Sequence, residues 1–176
     1  VLLLLSKQIP RMSKHMRNGK FQQAREEGIS LSRISGQKLG LIGFGASAKA
    51  VARRAKPFGL ELVATRQNQT ASSEEADALG VRMVDLETLL AESDFVSLHL
   101  PLSQETRNLI GTAEIALMKQ SAILVNTARG GIIDEEALHN ALKDNRIAGA
   151  ALDVFAEEPL PPDHPLTGLD NLCHSP

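Results

Sequence analysis

The sequence predicts an α/β fold in which a doubly wound parallel sheet forms the middle of three layers, preceded by an amphipathic helix. Two observations carry that prediction. From Gln37 onward, short apolar runs of strand character alternate with stretches of helical periodicity; alternation of this kind implies parallel strands joined by crossover helices that cover both faces of a sheet. The first of those strands also runs directly into a glycine-rich turn with a helical run behind it. At 176 residues, 43% hydrophobic and 23% charged, the chain has the size and balance of one compact domain with a sizeable core.

The elements follow in order. Apolar residues recur at Leu2, Leu5, Ile9, Met12 and Met16, steps of 3, 4, 3 and 4 that draw one stripe down a helix. The opposite face carries Lys7, Arg11, Lys14, Arg17 and Lys20, a pattern shared with transit peptides and anionic-surface binders and read here as a solvated face. Pro10 lacks an N–H and crowds the turn before it, so it should kink the helix. Residues 28–36 read as a linker. Strands are expected at 38–44, 60–65, 81–84, 95–100, 122–127 and 147–154, with a last apparent strand at 171–176. Helices are expected between them at 46–56, 73–79, 86–92, 113–119 and 135–143. Asp134 and Glu135 suit a helix start, where the dipole favours negative charge.

Several function classes are disfavoured. A net charge of -2 argues against a nucleic-acid partner, which needs clustered excess Lys and Arg. The opening run of five apolar residues is too short for a membrane span and lacks the charged flank of a signal peptide. The single cysteine, Cys173, cannot close an internal disulfide, and no His/Cys cluster has metal-ligand spacing. A cytoplasmic protein with no metal, no membrane association and a small-molecule site is the expectation. The chain reads as a fragment of a longer protein, because it has no initiator Met and stops on an apparent strand.

The glycine turn is the first functional signal. Leu39-Gly-Leu-Ile-Gly43-Phe-Gly45-Ala-Ser-Ala48 is an apolar strand leading into Gly-x-Gly-x-x-Ala. Gly43 permits a tight turn, and Gly45 lets the backbone approach a pyrophosphate held by the free N–H groups and dipole of the helix that follows. Ala46 and Ser47 fall in its first turn, where Ser47 adds a hydroxyl, and Ala48 is small enough for close helix–strand packing. Placed between the first strand and helix of a βαβ unit, this is the fingerprint of a Rossmann-type dinucleotide site. For NAD, an acid is expected about 20 residues past the glycines; the chain has Thr65-Arg66 there. Arg66 either pairs with the 2′-phosphate of NADP, with Gln67, Asn68 and Thr70 nearby, or lies on a solvated loop and stacks on adenine. The cofactor is therefore NAD or NADP, with NADP favoured by Arg66.

Three further stretches carry a more specific signal: Ser93-Asp-Phe-Val-Ser-Leu-His-Leu-Pro-Leu102 with Thr106 downstream, Leu124-Val-Asn-Thr-Ala-Arg-Gly-Gly-Ile-Ile-Asp134, and Gly149-Ala-Ala-Leu-Asp-Val-Phe-Ala-Glu-Glu-Pro159. In this order after the glycine turn, they resemble the D-isomer-specific 2-hydroxyacid dehydrogenases, which include phosphoglycerate, glyoxylate, hydroxypyruvate and D-lactate enzymes. The resemblance implies hydride transfer between a nicotinamide cofactor and a small 2-hydroxy or 2-keto acid. It implies that Arg129 binds the substrate carboxylate and polarises the reacting carbonyl, for which a planar guanidinium fork is suited. Glu158 then matches the acid that pairs with the catalytic histidine and favours its protonated form; Glu157 is a bystander. Asp153 matches the residue holding the nicotinamide carboxamide, and a charge inside an apolar run is costly unless a ligand or hydrogen bonds compensate it. Thr127 and Ala128 line the nicotinamide end, Leu100 and Pro101 flank the adenosine side, and Thr106 matches a position near the pyrophosphate.

The departures from the family pattern are also informative. The catalytic histidine would follow Ser175-Pro176, where the chain ends, and His174 should point away from that place by strand alternation. The substrate domain is expected outside residues 1–176, so the chain as it stands should bind cofactor but turn substrate over very slowly or not at all. Ser47 and Ala48 replace the usual Ile-Gly. His99 reads as a structural, backbone-lining residue, and His164 as loop. The first helix resembles the family's inter-domain helix, which implies a homodimer whose Leu2 to Met16 stripe packs on a partner or on the substrate domain. A second reading stays open: the NAD(H)-sensing co-repressors related to these dehydrogenases use the same fold as a binding module.

Overall fold

A computed structural model describes residues 2–29, 31, 33–66 and 74–175. Three short helices open the chain, α1 (Leu2–Ser6), α2 (Ile9–Arg17) and α3 (Phe21–Ile29). Strands and helices then alternate: β1 (Lys38–Ile42), α4 (Ala46–Ala55), β2 (Glu61–Thr65), α5 (Glu74–Leu79), β3 (Val81–Met83), α6 (Leu86–Glu92) and β4 (Phe95–Leu98). The second half runs α7 (Thr112–Leu117), β5 (Ile123–Asn126), α8 (Glu135–Lys143), β6 (Gly149–Leu152) and β7 (Leu172–His174). All seven strands join one sheet in the order β3-β2-β1-β4-β5-β6-β7, and every pairing is parallel. The expected α/β class and the doubly wound sheet are therefore both present, with strand ends trimmed by at most two residues from the sequence reading.

Side-chain alternation along the strands divides the core in two. Leu39 and Leu41 of β1 point into a cluster with Ala48 and Ala52 of α4 and Ala76 of α5. Ile42, Val96, Leu98 and Leu124 point the other way, against Leu89 and Leu90 of α6, Ile115 of α7 and Leu138 of α8. Both strand faces are apolar because both are covered. Each fully buried Leu in these layers contributes about 2 kcal/mol relative to exposure. The alanines on α4 let that helix lie close to the sheet. Asp85 caps α6, accepting the Thr88 N–H at 2.7 Å and the Thr88 hydroxyl at 2.9 Å, bonds that hold its carboxyl below the usual carboxylate range. Asp134 caps α8 by accepting the N–H groups of Glu136 and Ala137, both at 3.1 Å, as the sequence placed it.

The N-terminal region differs from the single kinked helix expected. The chain breaks at Lys7 and Gln8, where Gln8 takes φ +46°, and Pro10 sits in the first turn of a new helix. There its missing N–H has no intrahelical partner to lose, so the proline starts α2 instead of bending a longer helix. Leu2 and Leu5 pack against the sheet cluster, while Ile9 and Met16 are exposed; the stripe therefore serves two surfaces. The 28–36 linker also begins later than expected, since Gly28 and Ile29 belong to α3. That helix buries only Ala24 and carries no apolar stripe from which it could be read. Arg11 and His15 of α2 meet Glu27 of α3 at 2.9 and 3.3 Å. Among the described residues, no helix is long and apolar enough to cross a membrane.

Chain order reverses at β1, which has β2 on one side and β4 on the other. The crossovers on the two sides leave in opposite directions, so a crevice opens at the carboxyl ends of β1 and β4.

Candidate functional site

Gly43 leaves β1 with φ +91°, and a Cβ there would lie 2.7 Å from the His99 carbonyl oxygen and 2.8 Å from Leu100 Cδ2. Glycine is required by both the backbone conformation and the close approach of the chain leaving β4. Hydrogen bonds fix the turn: the Gly43 N–H donates to the Thr65 carbonyl at 3.0 Å, and the His99 N–H donates to the Ile42 carbonyl at 2.8 Å. Thr65 is buried at the end of β2 and thus braces the turn through its backbone. Gly45, the cap of α4, differs from Gly43. Beyond its two chain neighbours, no atom of the described residues lies within 4 Å of its hypothetical Cβ, so the packing described gives no reason for a glycine there, and space is left for an approaching ligand. The cap has no side-chain hydrogen bond to the helix, leaving the first-turn N–H groups of Ala46, Ser47 and Ala48 at the mouth of the crevice. Open space plus backbone donors at the positive end of a ten-residue helix suits a diphosphate.

The other residues singled out from sequence gather at the same edge. Leu100, half-buried, borders the Gly43 turn, and Pro101 is exposed beside it. Thr106 ties its own loop together, accepting the Ser103 N–H and donating to the Pro101 carbonyl, both at 2.7 Å. Arg66 is half-buried just past β2; Gln67, Asn68 and Thr70 lie outside the described residues.

At the end of β5 the chain turns sharply through exposed Thr127, half-buried Ala128 and exposed Arg129. Sequence reasoning passed over the residue that shapes this turn. Asn126, 2% exposed, accepts the Ala128 N–H at 3.1 Å and donates to the Arg129 carbonyl at 2.9 Å. The Arg129 guanidinium donates to the Ala128 carbonyl at 2.7 Å and otherwise faces outward. Gly130 then passes so close to the loop after β6 that a Cβ would lie 1.7 Å from the Phe155 carbonyl oxygen. That second loop carries Glu158, whose Oε1 accepts the Phe155 N–H at 3.0 Å. The Arg129 and Glu158 loops are thus in backbone contact. Glu135 does more than begin α8: its carboxylate accepts the Ala156 N–H at 2.7 Å and lies 3.6 Å from His164.

Asp153 follows β6, with its N–H donating to the Asn126 carbonyl at 3.0 Å and its carboxylate accepting the Ser175 hydroxyl. It is exposed, which corrects the expected burial inside an apolar run: the strand ends at Leu152, and the desolvation argument does not apply to a group at the open edge. The structural or backbone-lining role expected of His99 extends to its ring. Its carbonyl lines the Gly43 turn, and its ring contacts the hydroxyls of Ser47 and Ser97. Burial pushes its imidazole below the ordinary value, because a charged ring would lose hydration there.

Residues 1–176 match the family described as D-isomer specific 2-hydroxyacid dehydrogenase, NAD binding domain. The chain belongs to this family. A glyoxylate reductase of Korarchaeum cryptofilum is 44% identical over 177 residues, covering 100% of this chain and 53% of the relative. A D-3-phosphoglycerate dehydrogenase of Methanocaldococcus jannaschii is 43% identical, covering 100% of this chain and 33% of its own length. The crystal structure of D-lactate dehydrogenase with NAD+ from Lactobacillus jensenii superposes with a TM-score of 0.89 at 31% identity, over 99% of this chain and 55% of that one. The chain thus spans about half or less of the length of the relatives it matches, and the family it belongs to is a nicotinamide-cofactor-binding domain.

Proposed function

We propose that this chain is the cofactor-binding part of a D-2-hydroxyacid dehydrogenase that interconverts a small 2-keto acid, of the glyoxylate, hydroxypyruvate or phosphoglycerate type, with its 2-hydroxy acid. The observation that carries the reading is the pairing of Gly43, required by the fold, with Gly45, which faces open space at the start of α4. In this reading Ala46 and Ser47 offer first-turn donors to the diphosphate, Thr106 borders it, Leu100 and Pro101 flank the adenosine side, and Thr65 and Arg66 meet the adenosine ribose. Thr127, Ala128 and Asp153 surround the nicotinamide ring, which supplies or accepts the hydride when bound. The Arg129 guanidinium forks onto the substrate carboxylate and polarises the carbonyl oxygen, where negative charge develops. Glu158 holds a histidine in its protonated form, ready to donate to that oxygen. The histidine and the substrate-binding domain belong to sequence outside residues 1–176, in keeping with the share of each relative that the chain covers. The relatives compared are named as dehydrogenases and a reductase, and none favours the co-repressor reading.

NADP is the proposed cofactor, because a guanidinium at Arg66 complements a 2′-phosphate where an acid would repel it. Leu3, Leu4, Ile9, Met16, Phe21 and Ile29 are exposed on α1 to α3, an apolar surface that fits pairing with a second copy. A reducing cytoplasm suits the free Cys173. The test is a fluorescence titration with NADPH and then NADH, read without interference because the chain has neither Trp nor Tyr. Tighter NADPH binding that weakens in Arg66→Ala supports the cofactor choice, and tighter NADH binding overturns it. Binding of neither would remove the dinucleotide reading.

A further inference from the structure

His99 is the titratable side chain at the crevice that the proposed chemistry leaves unused, and it is held from two directions. Ser97 Oγ lies 3.0 Å from its Nε2, and Ser47 Oγ lies 3.1 Å from its Nδ1. Ser97 is buried on β4; Ser47 is exposed in the first turn of α4, two residues past Gly45. Burial disfavours the imidazolium, so above the ordinary imidazole range the ring is neutral, with one donor and one acceptor nitrogen. The three groups can therefore be ordered in two ways. In one, Ser97 donates to Nε2 and Nδ1–H donates to Ser47, which leaves the Ser47 hydroxyl proton directed elsewhere. In the other, Ser47 donates to Nδ1 and Nε2–H donates to Ser97, so Ser47 has no proton left to offer a ligand.

We propose that His99 is a positioning residue for the cofactor diphosphate: in its Nδ1–H tautomer it orients the Ser47 hydroxyl to donate to a diphosphate oxygen, and cofactor binding selects that tautomer. The inference rests on the reading that the diphosphate lies at Gly45 and the first turn of α4. An anionic oxygen next to Ser47 accepts a hydrogen bond and can donate none, so only the first ordering satisfies all the groups at once. The Ser97 hydroxyl, buried behind the ring, closes the far end of the relay.

The experiment measures the imidazole nitrogen shifts of the histidine-labelled protein with and without NADPH or NADH, at a pH above the ordinary imidazole range. His99→Gln assigns the signals. Saturation with cofactor should move Nδ1 to the protonated and Nε2 to the unprotonated position. Ser47→Ala should abolish that change and weaken cofactor binding about tenfold, the effect of one lost hydrogen bond to a charged group. Ser47→Thr should restore both. Binding with unchanged ring nitrogens, or wild-type affinity in Ser47→Ala, would overturn the relay while leaving the dinucleotide site intact. No fluorescence change with either cofactor would overturn the site, and the relay with it.

Discussion

The two glycines of the turn between β1 and α4 should respond to alanine in opposite ways. In Gly43→Ala, the new methyl sits 2.7 Å from a backbone carbonyl oxygen in a residue held at φ +91°. Holding an L-residue at positive φ costs about 1–2 kcal/mol, and forcing apart two backbone segments adds about 1–3 kcal/mol. A total near 3 kcal/mol corresponds to roughly 6–12 °C in Tm for a domain of this size. In Gly45→Ala, the methyl meets no atom of the described residues within 4 Å beyond its chain neighbours, and the residue already lies in the extended region at φ -88°. Its stability should therefore change by less than ~0.5 kcal/mol. Its cofactor affinity should nevertheless fall at least tenfold, about 1.4 kcal/mol, because the methyl occupies the approach to the helix N-terminus. Thermal melts without ligand, paired with NADPH and NADH titrations, read both quantities on the same samples. Gly45→Ala binding both cofactors like the parent would falsify the placement of the diphosphate at this turn, and an unchanged Tm in Gly43→Ala would refute the steric argument.

Further variants test the neighbouring loops. Gly130→Ala places a methyl 1.7 Å from the Phe155 carbonyl oxygen, so one backbone must move by roughly 1.5 Å to regain ordinary van der Waals separation. A shift of ~1 Å at Arg129 should lower kcat of the complete enzyme about 100-fold, and steady-state kinetics showing an unchanged kcat would mean the loops relax elsewhere. Asn126→Ala removes two hydrogen bonds from a buried side chain and should cost about 2–3 kcal/mol; Asn126→Asp, which keeps the acceptor for the Ala128 N–H but buries a carboxylate against the Arg129 carbonyl oxygen, should lose at least as much in a denaturant titration at neutral pH. The lowered pKa of His99 means that the unfolded chain takes up the proton first as pH falls. Stability should therefore decline from the ordinary imidazole value of 6.5 down to the depressed folded value, then level off. Melts of the parent and His99→Gln across that window should diverge; parallel curves would show that the ring contributes nothing to the pH dependence.

What could be read along the chain were the features written in local spacing. The alternation of strand and helix from β1 to α8 was legible because both periods are short and the buried faces of each element repeat within it. The Gly43 and Gly45 pair was legible because two glycines spaced by one residue between an apolar strand and a helical run mark a tight turn with close backbone approach. The opening helices were less legible. Pro10 is compatible with a kink or with a fresh helix start, and only the turn at Gln8 decides between them; α3 buries a single alanine and so leaves no apolar period to find. Asp153 looked costly when counted as part of a strand, and the position of the strand end removed that cost.

The sequence by itself determined the layer architecture, the glycine turn and the family, because each is carried by contiguous residues whose types have a direct physical reading. Tertiary structure alone decided which distant groups share the site. Ser47 reaches His99 across 52 residues because β1 and β4 are neighbours across the reversal of strand order. Gly130 must be small because the loop after β6 crosses it, and the adjacency of β5 and β6 sets that crossing. Strand order arises from burying both faces of the whole sheet at once, a free energy summed over all its residues, and no local pattern encodes it.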